Sequence, residues 1–176
     1  MTKGASLVIW NHNSTTGKLE VLLHQRSRHV EGGKLKLGVP GGKKENTDAN
    51  FEETALREGS EETGKRLIKY FGKGRSLITL NRDRTWAVVT VISNGRWDNN
   101  SPNYHKHSNW EVVGSFAPSD MSQMGHRWVD YERLVRNGGN YGSIKMWRYT
   151  KSSINNSLYD MQRAYPRQFG HLQPLP

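Results

Sequence analysis

The chain has 176 residues, a formal net charge of +10, 34% hydrophobic and 10% aromatic residues, and no cysteine. This length can bury the core of one domain, or of one domain with an extension, and the aromatic content argues against a wholly disordered chain. Without cysteine, disulfides and thiolate metal sites are excluded, so a bound cation must rest on carboxylates, histidines, carbonyls or water.

The opening residues run directly into an apolar segment, Ser6 to Trp10, so no signal peptide is expected. Leu19 to Gln25 reads as its hairpin partner across the turn-like Asn11 to Gly17. Arg26 to Lys36 is a basic, glycine-containing loop, and Leu37 to Pro40 leads into Gly41-Gly42. Asn50 to Thr63 reads as a helix, with Asn50 as its cap and Glu53 three residues on, as in a capping box. Gly64 is placed to stop it. Lys65 to Arg84 is strongly basic, and Thr85 to Ile92 is apolar enough for a central strand. Ser93 to Asn109 reads as a long loop and Trp110 to Phe116 as a strand. Trp128 to Arg136 reads as a helix or a strand running into one. Ser152 to Tyr165 has Ile154, Leu158 and Met161 on one helical face, and Pro166 to Pro176 is expected to be irregular. No apolar run is long enough for a membrane helix, so no membrane partner is expected. The order is that of a mixed α/β protein.

Charge is placed unevenly along this chain. Seven of the 16 acidic residues lie between Glu45 and Glu62, where Arg57 is the only basic one; the window is −6 and the remainder +16. A carboxylate cluster repels itself unless a positive charge sits within it, so the window points to a cation site. The basic remainder favours anionic partners, among them nucleotides, polyphosphates and nucleic acid. On a helix, Glu58, Glu61 and Glu62 are spaced i, i+3 and i+4 and share one face. Hard cations such as Mg²⁺ and Mn²⁺ take oxygen ligands of this kind, usually together with substrate phosphates. The plain alternative is a solvated acidic face.

The stretch GGKKENTDANFEETALREGSEETG, Gly41 to Gly64, resembles the signature of the Nudix hydrolases, and the preceding VLLHQRSR…LGVPGGK is similar to the family's strand and loop. Three departures stand out. Asp48 occupies a position where the family has Glu, one residue is inserted before the helix, and Gly59 and Lys65 replace apolar side chains. The resemblance implies a Nudix-type α/β/α sandwich with a mixed central sheet and a basic C-terminal extension. Residues 1–150 would form the hydrolase domain, with 151–176 a helix and tail packing on or extending it. It implies a metal-dependent pyrophosphohydrolase using Mg²⁺ or Mn²⁺; a cytoplasmic location is expected instead from the lack of cysteine and of a signal-peptide pattern. Its substrate would be a nucleoside diphosphate linked to another group: a nucleotide sugar, a dinucleoside polyphosphate, a nucleoside triphosphate or capped RNA.

By the same resemblance Glu58, Glu61, Glu62 and the Gly41 carbonyl would hold metal. Glu58 and Glu61 would be catalytic, with Arg57 orienting carboxylates such as Glu45 or Asp48. Asp48, Glu111 or Asp120 would supply an additional acid. From charge alone, Arg26, Arg28, Lys34 and Lys36, just before the motif, can take the remaining phosphate charge or form a basic solvated loop, and Gly42 and Lys43 are further substrate-binding candidates. Trp10, Trp86, Trp97 and Tyr104 are candidates to stack on a base, though Trp86, in a strongly apolar strand, reads rather as core; His105 and His107 read as a solvated loop. The alternative is a non-catalytic nucleotide- or RNA-binding module on the same fold.

Overall fold

The computed structural model describes residues 2–26, 32–63, 67, 71, 74–93 and 126–176. Its organising strand is β1 (Gly4–His12), whose side chains alternate between two buried layers. Ala5, Leu7 and Ile9 enter one layer, and Val8 and Trp10 enter the other. A strand apolar on both faces must be covered on both sides, and this dictates a three-layer architecture.

On one edge β1 runs parallel to β6 (Trp86–Ser93), in register from Gly4↔Trp86 to Asn11↔Ser93. Its other edge is shared. The C-terminal half pairs antiparallel with β2 (Leu19–Gln25), the N-terminal half with β4 (Gly41–Lys43). At the fork the Leu7 amide donates to the Pro40 carbonyl at 2.7 Å. The turn between β1 and β2 is closed by Asn13, whose Oδ1 accepts from the amides of Thr15 and Thr16, and by Gly17 at φ 71°. The mixed sheet is completed by β3 (Leu37–Gly38) on β2, β5 (Leu77–Leu80) on β6, and β7 (His126–Asp130) on β2.

Helix α1 (Phe51–Thr63) covers the Leu7 face through Ala55 and Leu56, joined by Leu67 and Phe71. Gly59 lets it approach. A Cβ there would lie 2.6 Å from Leu7 Cδ2 and 2.8 Å from Leu67 Cδ1. The opposite face is covered by α2 (Tyr131–Arg136), α3 (Arg148–Ala164) and α4 (Pro166–Phe169). Asp130 caps α2, its Oδ1 accepting from the amides of Glu132 and Arg133. The architecture is therefore the expected α/β/α arrangement around a mixed sheet.

Several expectations are corrected. Trp10 is no stacking platform: it is fully buried, edge-on to Tyr131 and Phe169 at 5.1 and 5.5 Å, and its Nε1 donates to Ser157 Oγ at 2.8 Å. Such ring pairs contribute about 0.5–1.5 kcal/mol beyond area burial. Trp86, by contrast, packs inward as its apolar strand suggests, lying over Gly4 and donating from Nε1 to Ser6 Oγ. The segment from Pro166 is not wholly irregular: it begins with α4, and Phe169, Leu172 and Leu175 are buried. Strand β5 lies within the basic stretch where no strand was expected. The expected strand Trp110 to Phe116 lies outside the described residues. Among the described residues no helix is long and apolar enough to cross a membrane.

Candidate metal and diphosphate site

Helix α1 starts where Asn50 Oδ1 accepts from the Glu53 amide at 2.9 Å. The Glu53 carboxylate reaches back one residue beyond the usual capping box, to the Ala49 amide at 2.8 Å. Just before it, the Glu45–Asp48 turn is closed by Asp48 Oδ2, which accepts from the Glu45 amide and from Thr54 Oγ1. Asp48 is thereby buried and aimed at the second turn of the helix.

Arg57 meets it there. Arg57 Nε and Nη2 donate to the two Asp48 oxygens, both at 3.0 Å, in a fork that matches carboxylate geometry. Nη2 also donates to the Lys43 carbonyl at 2.8 Å. Nη1 donates to Glu58 Oε1 and Glu61 Oε1, each at 3.2 Å, and lies 3.5 Å from Glu45 Oε1. One guanidinium thus ties the preceding turn to two helix glutamates. Its hydrogen bonds hold the Asp48 carboxyl down at about 2, against the upward effect of burial, with the Glu45 amide and Thr54 hydroxyl assisting. The Asp48 bonds in turn push the Arg57 pKa further up.

The seven acids of the window therefore divide by task. Asp48 anchors Arg57, Glu45 lies against the same guanidinium, and Glu53 caps the helix. Glu52 binds a distant segment, accepting from the Gly74 amide and Ser76 Oγ. Glu58, Glu61 and Glu62 remain on one side of α1 against β4. Glu58 lies so close to Gly42 that a Cβ there would sit 2.3–2.5 Å from its carboxylate atoms. Glu62 Oε2 accepts from the Gly41 amide at 2.9 Å. Burial pushes the Glu62 pKa well up, and the charges of Glu58 and Glu61 add to this, while the Gly41 amide and Arg26 oppose it. Among the described residues no three acidic or histidine side chains already form a cation cage; Glu58 and Glu61 turn toward Arg57, and Glu62 toward β4. The donor set nonetheless fits a hard divalent cation. It is all oxygen, it lies on one helix face, and burial, with the added charges of Glu58 and Glu61, makes an ionised Glu62 unfavourable without a counter-charge.

Arg26, at the end of β2, faces Glu62 electrostatically. Its Nε donates to the Gly32 carbonyl at 2.9 Å, and its guanidinium lies 3.9 Å from the Trp147 ring centroid. Burial lowers its pKa and the Glu62 charge opposes that. Trp147 was not anticipated from sequence, because it lies 121 positions from Arg26 and outside any motif. Lys43 contributes its carbonyl to Arg57, and its residue is exposed. Arg28, Glu111, Asp120, Trp97, Tyr104, His105 and His107 lie outside the described residues, as do Gly64 and Lys65.

A mixed sheet between helices, with a glutamate-rich helix organised by one arginine, defines the class: a Nudix-type domain. A family model described as NUDIX domain matches residues 2–146, and the chain belongs to that family. Among solved structures it is similar to the Nudix hydrolase RenU from M. smegmatis, at 15% identity over 93% of this chain and 87% of that one, with a TM-score of 0.53. It is similar to the C-terminal domain of mouse MUTYH, solved with human PCNA, at 14% identity over 94% and 90%, TM-score 0.53. It also resembles NrtR of Shewanella oneidensis, at 18% identity over 93% of this chain and 64% of that one, TM-score 0.50. At these identities the likeness is one of fold. No curated protein sequence matches the chain.

Proposed function

We propose that this protein hydrolyses the diphosphate bond of a nucleoside diphosphate linked to a second group, with Mg²⁺ or Mn²⁺ held by Glu58, Glu61, Glu62 and the Gly41 carbonyl. The observation that carries the reading is the Arg57 hub, which holds Glu58 and Glu61 on the side of α1 facing Gly41-Gly42. When bound, the cation neutralises phosphoryl oxygens and lowers the pKa of water.

The chain's own residues supply orientation and proton transfer. Arg57 fixes the carboxylate of Glu61 and, with Gly42, that of Glu58. Glu58 accepts the proton of the attacking water. Water oxygen bonds to one phosphorus as the bridging P–O bond breaks, giving two phosphate-bearing products. Arg26, braced by Trp147, offsets the remaining phosphate charge. Asp48 acts through Arg57 as a positioning residue.

The test is turnover of a panel of nucleotide sugars, dinucleoside polyphosphates, nucleoside triphosphates and capped RNA with Mg²⁺ or Mn²⁺. Glu61→Gln and Glu62→Gln should each lower kcat/KM by about 10²-fold or more, on the scale of losing a transition-state charge stabiliser. Folded variants with full activity on every substrate would refute the reading.

A further inference from the structure

Helix α3 buries Thr150, Ser153, Ile154, Ser157, Leu158 and Met161 against the sheet. At 3.6 residues per turn its opposite side carries Arg148, Ser152, Asn156, Tyr159 and Arg163, with Tyr149 beside them. All six are exposed. The solvent face of an ordinary amphipathic helix mixes both signs of charge and keeps large rings inside. This face does neither. Tyr149 is 54% exposed and Tyr159 60%. Each ring is paired with a guanidinium: Arg148 lies 4.7 Å from the Tyr149 centroid and Arg163 lies 5.6 Å from that of Tyr159. From Lys145 to Arg167 five basic residues stand against one acid, Asp160, and that carboxylate accepts the hydroxyl of Thr79 on β5.

Cations hold phosphates, and exposed rings next to them stack on bases, since every base has a π-face. Because the chain carries +16 outside its acidic window, long-range attraction favours a polyanion over a neutral partner. Arg148 to Arg163 spans about 22 Å at 1.5 Å per residue, room for several nucleotides. We propose that this face of α3 binds single-stranded nucleic acid, with phosphates on Arg148 and Arg163 and bases on Tyr149 and Tyr159. In a duplex the base faces are occupied by their neighbours, so the tyrosines select single strands. The N-terminal end of the stripe adjoins the carboxylate site. Tyr149 meets Trp147 edge-on at 4.9 Å, and Trp147 carries Arg26. A strand bound here therefore has one end at the candidate diphosphate site. That orientation rests on the hydrolase reading; the binding itself does not.

The test is fluorescence anisotropy with labelled single-stranded RNA and DNA of about 12 nucleotides, and with the RNA duplex of the same sequence. EDTA suppresses turnover. Both single strands should bind at about 50 mM salt and be released as salt rises. Tighter binding of RNA would assign a contact to the 2′-hydroxyl, and equal binding a sugar-blind surface; either supports the proposal. Tyr149→Ala with Tyr159→Ala should weaken binding about tenfold or more. Arg148→Gln with Arg163→Gln should reduce the slope of log K against log salt by about 1.4, the share of two single-strand phosphates. The substituted side chains are exposed, so circular dichroism should be unchanged. Binding of RNA without hydrolysis of any substrate would defeat the hydrolase reading and support this one. Absence of binding at low salt, a duplex bound as tightly as the single strands, or variants matching wild type would overturn the proposal.

Discussion

Replacing Asp48 by asparagine tests the hub on which the carboxylates depend. The Asp48 carboxyl is held at about 2 against an ordinary 3.8. At about 1.4 kcal/mol per unit, its ionised form contributes on the order of 2 kcal/mol to stability at neutral pH. The Asp48 side chain is only 5% exposed, so solvent screens little of this. Asparagine also turns an amide donor toward the Arg57 and Glu45 donors, which adds to the loss. Urea unfolding at pH 7 should show Asp48→Asn less stable by about 2–3 kcal/mol, and thermal unfolding a Tm lower by about 5–10 °C for a chain of this size. A depressed carboxyl stabilises above its unfolded pKa and loses that contribution as pH falls through its folded one. The gap between wild type and variant should therefore hold from pH 7 to about 5, fall to about half by pH 3, and close below about pH 2. A gap under about 1 kcal/mol at pH 7, or one unchanged between pH 7 and 3, would refute the assignment of Asp48 as the anchor of Arg57.

Three further outcomes follow from particular contacts. Gly42→Ala places a methyl group on the Glu58 carboxylate, a flexible side-chain end. Thermal stability should hardly change, while kcat/KM falls about tenfold or more, because small displacements of a reacting group are costly. Ser157→Ala leaves the Trp10 Nε1 donor and the Thr90 hydroxyl without their buried partner and should cost about 1–3 kcal/mol in denaturant unfolding. Trp147→Ala removes the ring under Arg26, an interaction of about 0.5–2 kcal/mol. Steady-state kinetics should show a raised KM with kcat little altered, largely restored in Trp147→Phe.

Much of this fold is legible in sequence where local pattern and tertiary demand agree. The β1–β2 hairpin, α1 with its Asn50 cap, β6 and α3 all carry a strong period or end signal, and each is found within a few residues of its expected bounds. Strands β3, β4 and β5 have two to four residues each. Such strands carry too few residues to show a period, and β4 is built on two glycines with no side chain to pattern. Arg57 could be paired with Glu61 from the i, i+4 spacing alone, and the motif singled out Glu45 and Asp48. The bond from Glu52 to Gly74 and the stacking of Arg26 on Trp147 have no local signature, because the chain's path creates them. Trp10 was misread because a tryptophan in a strand looks the same in sequence whether it faces a ligand or a core. The closing segment hides its packing for a similar reason. Leu172 and Leu175 lie beyond the last helix with Pro174 between them, so no regular element announces their burial, yet Asn155 exchanges two hydrogen bonds with Leu175 and Gln162 holds the carbonyls of Phe169 and Leu172.

That closing segment sets the order in which the molecule can be assembled during synthesis. Trp10 is made well before Phe169, which closes over its ring. Until the ribosome has released residues through Leu175, the Val8–Trp10–Val88 side of the sheet lacks its cover, and a nascent chain presents that oily surface to its surroundings. Folding here is gated by translation through Leu175, and premature termination anywhere within α3 should yield an insoluble product rather than a smaller working protein.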